Sequence, residues 1–296
     1  MQAIIAQKPN YYFHNYNEKS GLSSSYNTYF LKDIKGFTWI SSINGLNRFD
    51  GVNFKLYQNI PNDSTSLFDN NIQSPLFEDN KGNIWFATYE AIHCYRRDKD
   101  NFERFWINHN GKKVLNDYSI IHLDTEGYLW IKVGSWNTQQ FVYKFNTNSA
   151  SKNGHDYQFF YETIGFKHCI AKDSDSKNSY SIISYTGNPK NGFNILRLKN
   201  DTFQKPQNFF TGYADDKFKE LHSIRKVIQE NENEFWLASD DGLILFNSIK
   251  NSYEKFKNFN GQKLNQIIDF VLWRNQIIAL TKEYGILFFN KKNKGI

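Results

Sequence analysis

Asp33-Ile-Lys-Gly36-Phe-Thr-Trp39 returns as Asp79-Asn-Lys-Gly82-Asn-Ile-Trp85 and again as Asp124-Thr-Glu-Gly127-Tyr-Leu-Trp130. Successive tryptophans stand about 45 residues apart, the period of one four-stranded blade of a β-propeller. Later copies are altered but alignable. Glu230-Asn-Glu-Asn233-Glu-Phe-Trp236 keeps the tryptophan and places Asn, which tolerates positive φ, where the glycine stood. Asp173 to Lys177 followed by Tyr180 fills a fourth position. Trp273-Arg-Asn275-Gln-Ile277 fills a sixth, with Ile277 in the tryptophan's place.

The copies share an internal order. A short apolar strand (Tyr29–Leu31, Leu76-Phe77, Ile120-Ile121, Ile224–Ile228) precedes the motif. The Asp side chain can bond backbone N–H groups of the turn, and the Gly takes a dihedral closed to other residues. A second strand follows (Phe37–Ser41, Ile84–Thr88), then a third (Gly45–Phe49, Gly242–Phe246) and an aromatic fourth (Phe54–Tyr57, Phe102–Trp106, Tyr157–Tyr161, Phe256–Phe259). Short strands about 8–12 residues apart indicate a sandwich, barrel or propeller, and the long period selects the propeller. The expected fold is all-β, a single propeller over residues 11–296 with about six four-stranded blades, seven being the alternative count. The blades fall near 24–60, 68–108, 116–162, 167–212, 221–260 and 264–296. The last stops without a fourth strand, and Tyr11-Tyr-Phe-His-Asn-Tyr16 resembles one. Residues 11–17 are therefore expected to pair with the last blade and close the ring, leaving no bare edge. Residues 1–10 read as a disordered segment or a signal-peptide remnant.

Composition agrees with this architecture. Of 296 residues 27 are Phe, 18 Tyr and 7 Trp, types that suit pleated, half-buried surfaces. The net charge of +6 is spread among Asn and Asp rather than gathered on one face, which argues against nucleic-acid binding. No stretch reaches the roughly 18 consecutive apolar residues of a membrane span. Cys94 and Cys169 form no CxxC pair and read as two buried, free thiols. The seven histidines show no metal-ligand spacing, so neither a metal nor a cofactor is expected.

The segment Gly21-Leu-Ser-Ser, then Asp33-x-x-Gly36-x-x-Trp39-Ile-Ser-Ser-x-x-Gly45-Leu-Asn-Arg-Phe-Asp50-Gly51 and Phe54-x-x-Tyr57, resembles the two-component regulator propeller repeat. Asp63-Ser-Thr-Ser66-Leu67 and Asn71-Ile72 carry the pattern into the second copy. The resemblance is close over about residues 20–106, recognisable to Trp130, weak from 140 to 220 and clear again at 224–247. That family forms the periplasmic sensor region of hybrid histidine kinases. The resemblance implies an exported, non-catalytic module that responds to a carbohydrate fragment or similar cue, contacts other domains of a sensor kinase and can dimerise. Six blades depart from the seven that family members often carry.

Asp33, Gly36, Trp39, Asp79, Gly82, Trp85, Asp124, Gly127, Trp130 and Trp236 read as structural, the carboxylates closing turns and the rings packing between blades. Ligand contacts are expected instead where loops between second and third strands depart from the repeat. These are Tyr89, Glu90 and His93 in the second blade, Trp136 and Asn137 in the third, Asp240 and Asp241 in the fifth, and Glu283 and Tyr284 in the sixth. Aromatic faces with fixed polar groups suit a concave sugar or peptide site. A protein-docking scaffold is the alternative, and would present a broad apolar face. A propeller glycosidase or sialidase-like hydrolase is the second alternative. It would need paired carboxylates and, for sialidases, an arginine cluster with a Tyr nucleophile. Only Arg96 and Arg97 adjoin, and neighbouring strand residues face opposite sides.

Overall fold

The computed structural model describes residues 14–72, 74–114, 117–135, 139–149, 157–164, 167–172, 179–185, 193–199, 202–203, 207–209, 224–240, 242–256, 258–259, 262–263 and 266–291. Its strands form antiparallel meanders in chain order, giving the all-β propeller architecture. The first sheet is Asn27–Lys32, Thr38–Ser42, Gly45–Phe49 and Phe54–Tyr57. The second is Phe77–Glu78, Ile84–Ala87, Ile92–Arg96 and Asn101–Phe105, and the third Ser119–Leu123, Tyr128–Val133, Gln139–Asn146 and Tyr157–Ile164. The fourth runs Lys167–Lys172, Ser179–Tyr185 and Phe193–Lys199, with Thr202–Phe203 and Gln207–Phe209 both paired to its third strand. The fifth is Lys226–Gln229, Glu234–Ser239, Gly242–Asn247 and Ser252–Phe256. Ile267–Trp273, Gln276–Thr281 and Gly285–Asn290 make a three-stranded sixth sheet. The expected count of about six thus resolves into five sheets of four or more strands and one of three. The chain divides into two compact units, one reaching Gly134 and including Val142–Phe160, the other Ser135–Phe141 and Tyr161 onward.

The repeat motif works through one carboxylate doing two jobs. Asp33 Oδ1 accepts from Lys35 N and Phe37 N, both at 2.9 Å, closing the turn. Its Oδ2 accepts from Trp39 Nε1 at 2.8 Å, fixing the ring. Asp79 repeats this with Lys81 N, Asn83 N and Trp85 Nε1, and Asp124 with Glu126 N, Tyr128 N and Trp130 Nε1. Gly36, Gly82 and Gly127 sit at φ of 89°, 80° and 87°, which the turn requires and a Cβ resists. The fifth sheet divides the work. Asn231 Oδ1 takes the turn N–H groups of Asn233 and Glu234, while Glu230 Oε2 takes Trp236 Nε1 at 3.0 Å. Asn233 is not in the positive-φ region, because Asn231 builds a different turn that does not need it.

The tryptophans pack between sheets. Trp39 lies in a buried cluster with Leu46 and Tyr57 of the first sheet and Ile84, Phe86, Tyr95 and Phe102 of the second. Trp85 meets Phe105 and Phe145, with centroids at 5.5 and 5.9 Å. Trp236 meets Phe256 and Phe289, and Ile277 in the sixth sheet is fully buried in the tryptophan's position.

Two expectations shift, and that for Cys94 holds. The fifth sheet's fourth strand is Ser252–Phe256, and Phe259 belongs instead to a small hairpin of Asn258–Phe259 with Gln262–Lys263. Of the segment expected to close the ring, residues 11–13 lie outside the described residues and His14–Asn17 carry no strand. Tyr16 packs its ring against Phe49 and Phe54 of the first sheet, at 4.8 and 5.8 Å. Cys94 is a buried free thiol whose pKa burial raises; the Cys169 side chain lies outside the described part of the chain.

Candidate functional site

The turns between second and third strands lie beside the links that enter the next sheet. In the second sheet Thr88 N bonds Ala91 O at 2.9 Å, which puts Tyr89 and Glu90 at the tip. Tyr118 N, at the entry to the third sheet, donates to Tyr89 O at 3.4 Å. Tyr89 is exposed and Glu90 half-buried. The link beyond the second sheet folds into a hairpin of Asn108–His109 with Lys112–Lys113. It places Lys113 within electrostatic reach of Glu90 and sets its ammonium 3.5 Å from the Trp106 ring centroid. Burial lowers the Lys113 pKa and Glu90 opposes the shift. Trp106 in turn meets Phe68 edge-on at 5.9 Å, and the Arg104 guanidinium lies 5.6 Å over Phe68. Tyr89, Glu90, Lys113, Trp106 and Phe68 thus form an aromatic and charged rim. Sequence reading found its first two members and missed the rest: Lys113 and Phe68 lie on inter-blade links, and Trp106, read as part of the fourth strand, follows that strand's end at Phe105.

His93 belongs elsewhere. It is fully buried in the third strand of its sheet, stacked on Phe86 at 5.1 Å and 5°. Its Nε2 accepts from Phe68 N at 2.9 Å, so the ring supports the loop rather than facing a ligand. Burial, aided by the Arg104 charge, lowers its pKa to about 3. The expectation of a rim ligand contact fails here because the strand begins at Ile92, one residue before His93.

In the second unit, Gln266 N donates to Asp240 O at 2.9 Å and Lys282 N to Gln266 O at 3.2 Å. This chain joins the Asp240 turn to the Lys282–Tyr284 turn of the sixth sheet. Asp240 pairs with Arg225 at 2.5 Å, while Glu283 and Tyr284 are exposed. Trp136, Asn137 and Asp241 lie outside the described residues.

Arginines serve the blade junctions. Arg97 donates to Asp33 Oδ2 at 2.8 Å, Gly82 O at 2.9 Å and Glu78 Oε1 at 3.3 Å. Arg104 donates to Asp63 O, Ser66 O and Leu67 O, pinning the link before the second sheet. Arg48 lies over Phe37 at 4.7 Å and bonds Tyr95 OH at 3.0 Å. Burial would raise the Asp100 pKa, but hydrogen bonds from Lys55, Tyr57 and Tyr95 hold it at about 2. Arg96, the last residue of its strand, pairs with Glu103 at 2.6 Å, while Arg97 lies in the turn that follows. No sialidase-like arginine cluster forms among the described residues. Nor do three or more His, Cys, Asp or Glu residues there group to hold a metal ion. No helix among the described residues is long and apolar enough to cross a membrane.

Comparison with known proteins agrees with the repeat. Residues 66–90, which span the second-sheet motif and the Tyr89–Glu90 turn, match the two-component regulator propeller. Histidine kinase P4 of Formosa agariphila is 40% identical over 65 residues, 22% of this chain and 5% of that kinase. An extracellular domain assigned to the hybrid two-component system BT3049 of B. thetaiotaomicron superposes over 95% of this chain with a TM-score of 0.67 at 18% identity. A second, assigned to a one-component system, BT4673, gives the same coverage, TM-score and identity. This chain spans only 36% and 38% of those two structures. The chain is a β-propeller that carries the two-component regulator propeller repeat.

Proposed function

We propose that this chain is a non-catalytic, extracytoplasmic sensor propeller of a two-component signalling system. Its rim at Tyr89, Glu90, Lys113 and Trp106 takes a carbohydrate fragment or similar cue. The observation that carries this reading is the match of residues 66–90, which places the rim turn itself within the regulator repeat. The exposed Tyr89 ring and the half-buried Trp106 beside a carboxylate and an ammonium are the groups a hydroxylated ligand uses for stacking and directional hydrogen bonding. Binding there would bias how the module packs against neighbouring domains, and so shift a two-state receptor. A ligand that binds the folded state raises the melting temperature through RT ln(1 + [L]/Kd). A thermal-shift screen of neutral and acidic oligosaccharides should give one class that stabilises the protein without being consumed. Tyr89→Ala should lose that shift while keeping the unliganded melting temperature. A shift that survives Tyr89→Ala intact, or product released from the sugar, sinks the proposal.

The sixth sheet supports docking to a neighbouring domain as a companion role. Val271, Leu280, Ile286 and Phe288 stand 41–56% exposed on its free face, around an apolar groove. Aspartate at Leu280 should leave sugar binding unchanged and weaken association with adjoining receptor domains. Unchanged association would remove this role.

A further inference from the structure

In four of the sheets the residue immediately after the third strand meets the same partner, a backbone carbonyl of the preceding turn in its own sheet; Asp50, after the third strand of the first sheet, bonds Asn53 O instead. Arg97 Nε donates to Gly82 O at 2.9 Å, Thr147 Oγ1 to Gly127 O at 2.6 Å, Ser248 N to Asn233 O at 2.8 Å and Lys291 N to Asn275 O at 3.0 Å. In two of these the side chain continues to the carboxylate that holds the tryptophan of the preceding sheet. Arg97 reaches Asp33 at 2.8 Å, and Lys291 reaches Glu230 at 2.7 Å. At Ser248 the preceding motif lies outside the described residues. At Thr147 the preceding carboxylate, Asp79, is present, but the side chain is too short to reach it.

A cleft of about 380 Å³ occupies that place. Its lining includes Asp79, Leu123 and Gly127, the counterparts of the Asp33, Glu78 and Gly82 that Arg97 touches one junction earlier. Glu78, which Arg97 engages from the first junction, and Asp124 line it as well, and no Lys or Arg is among the described lining residues. Neither Asp79 nor Asp124 makes an ion pair among the described residues. The second bond on Asp79 Oδ2, which Arg97 supplies to Asp33, comes from the neutral amide of Asn83 at 3.0 Å. The carboxylate is therefore satisfied in hydrogen bonds without a direct ion pair, and Arg96 acts on it only from a distance. A cation entering such a partly desolvated site gains more than one at an exposed carboxylate.

We infer that this cleft binds a small molecule with an ammonium or guanidinium head, seated where Arg97 and Lys291 place theirs at the other junctions. The site lies at the end of the sheets opposite the Tyr89 rim and is independent of the sensor reading; failure of the oligosaccharide screen leaves it standing, and the reverse holds too.

The test is calorimetric titration of the whole chain with agmatine and 1,4-diaminobutane, against 1,4-butanediol and potassium chloride of equal ionic strength. Saturable heat with the amines alone is expected. Thr147→Arg should raise the melting temperature and weaken agmatine binding at least tenfold, because it supplies the head group from within. Thr147→Lys repeats the test should the arginine variant misfold, Glu78→Gln should weaken binding severalfold, and Thr147→Ser should bind as the parent does. Amine heats no larger than those of the controls overturn the assignment. So does undiminished agmatine binding to a folded Thr147→Arg or Thr147→Lys protein, or to Glu78→Gln.

Discussion

Arg97→Met removes the guanidinium that joins the first two blades while keeping most of the side-chain length. Three bonds go: to Asp33 at 2.8 Å, Glu78 at 3.3 Å and Gly82 O at 2.9 Å. The Asp33 side chain has no solvent exposure and Arg97 is 21% exposed, so the ion pair is little screened. A hydrogen bond to a charged group is worth about 1.5–3 kcal/mol, and breaking a fully buried pair costs about 3–5 kcal/mol. Asp33 keeps three donors from Lys35, Phe37 and Trp39, which places the expected loss near the lower bound, at about 3 kcal/mol. In a domain of this size that lowers the melting temperature by about 6–12 °C. The pH dependence gives a second reading. Burial pushes the Asp33 carboxyl up, but bonds from Trp39, Arg97 and the Phe37 N–H bring it below its usual value. A carboxyl depressed on folding contributes stability that is complete above its unfolded pKa and lost as pH falls through the folded one. The parent and Arg97→Met unfolding curves, measured in urea, should therefore differ by the full amount at pH 7 and converge below pH 3.8. A loss under about 0.5 kcal/mol at pH 7, the level of an ordinary surface change, would refute the view that this arginine is the junction's clamp.

His93 predicts an acid loss in the same direction, beginning at higher pH. Its folded pKa of about 3 lies below the usual 6.5 of an imidazole, so the unfolded chain binds the extra proton and stability falls as pH drops through that window. His93→Gln can still accept from Phe68 N and should show a shallower loss of urea midpoint between pH 7 and 5 than the parent; parallel curves would contradict the burial argument. Gly45 sits at φ 117°, where a Cβ would collide with the Tyr57 carbonyl oxygen across the first sheet. Gly45→Ala should cost more than about 2 kcal/mol by chemical denaturation, from strain and displaced strand pairing together, and a neutral result would mean the outer strand shifts freely.

The turn contacts of Asp33, Asp79 and Asp124 were legible in sequence because their backbone partners lie within four residues, whereas their bonds to the tryptophan Nε1 atoms were not read there. Nor were the long-range contacts. Arg97 reads as one of two adjacent basic residues, and its partner Asp33 lies 64 positions away. Lys113 escaped notice because it lies on a link whose length and course the repeat does not dictate, and Trp106 because it reads as the end of a strand that stops at Phe105. His93 was misplaced for a local reason: Tyr89-Glu90-Ala-Ile-His93 reads as one loop, whereas pairing of Phe86 with His93 puts the histidine inside the ladder. Tyr16 shows a further limit. Its aromatic neighbourhood resembles a fourth strand, but one ring set at a tilt against Phe49 and edge-on to Phe54 satisfies it without strand pairing at His14–Asn17.

The division between Glu230 and Asn231 bears on how such repeats drift. Where one aspartate closes the turn and holds the ring, losing it undoes both, and the position is exposed to a single mutation. Where two neighbours share the tasks, either can change while the other function persists, so the fifth blade should accumulate substitutions that the first three would not survive. Degeneracy in the later copies then records a relaxation of mutational coupling within each motif, rather than a weaker need for the blade.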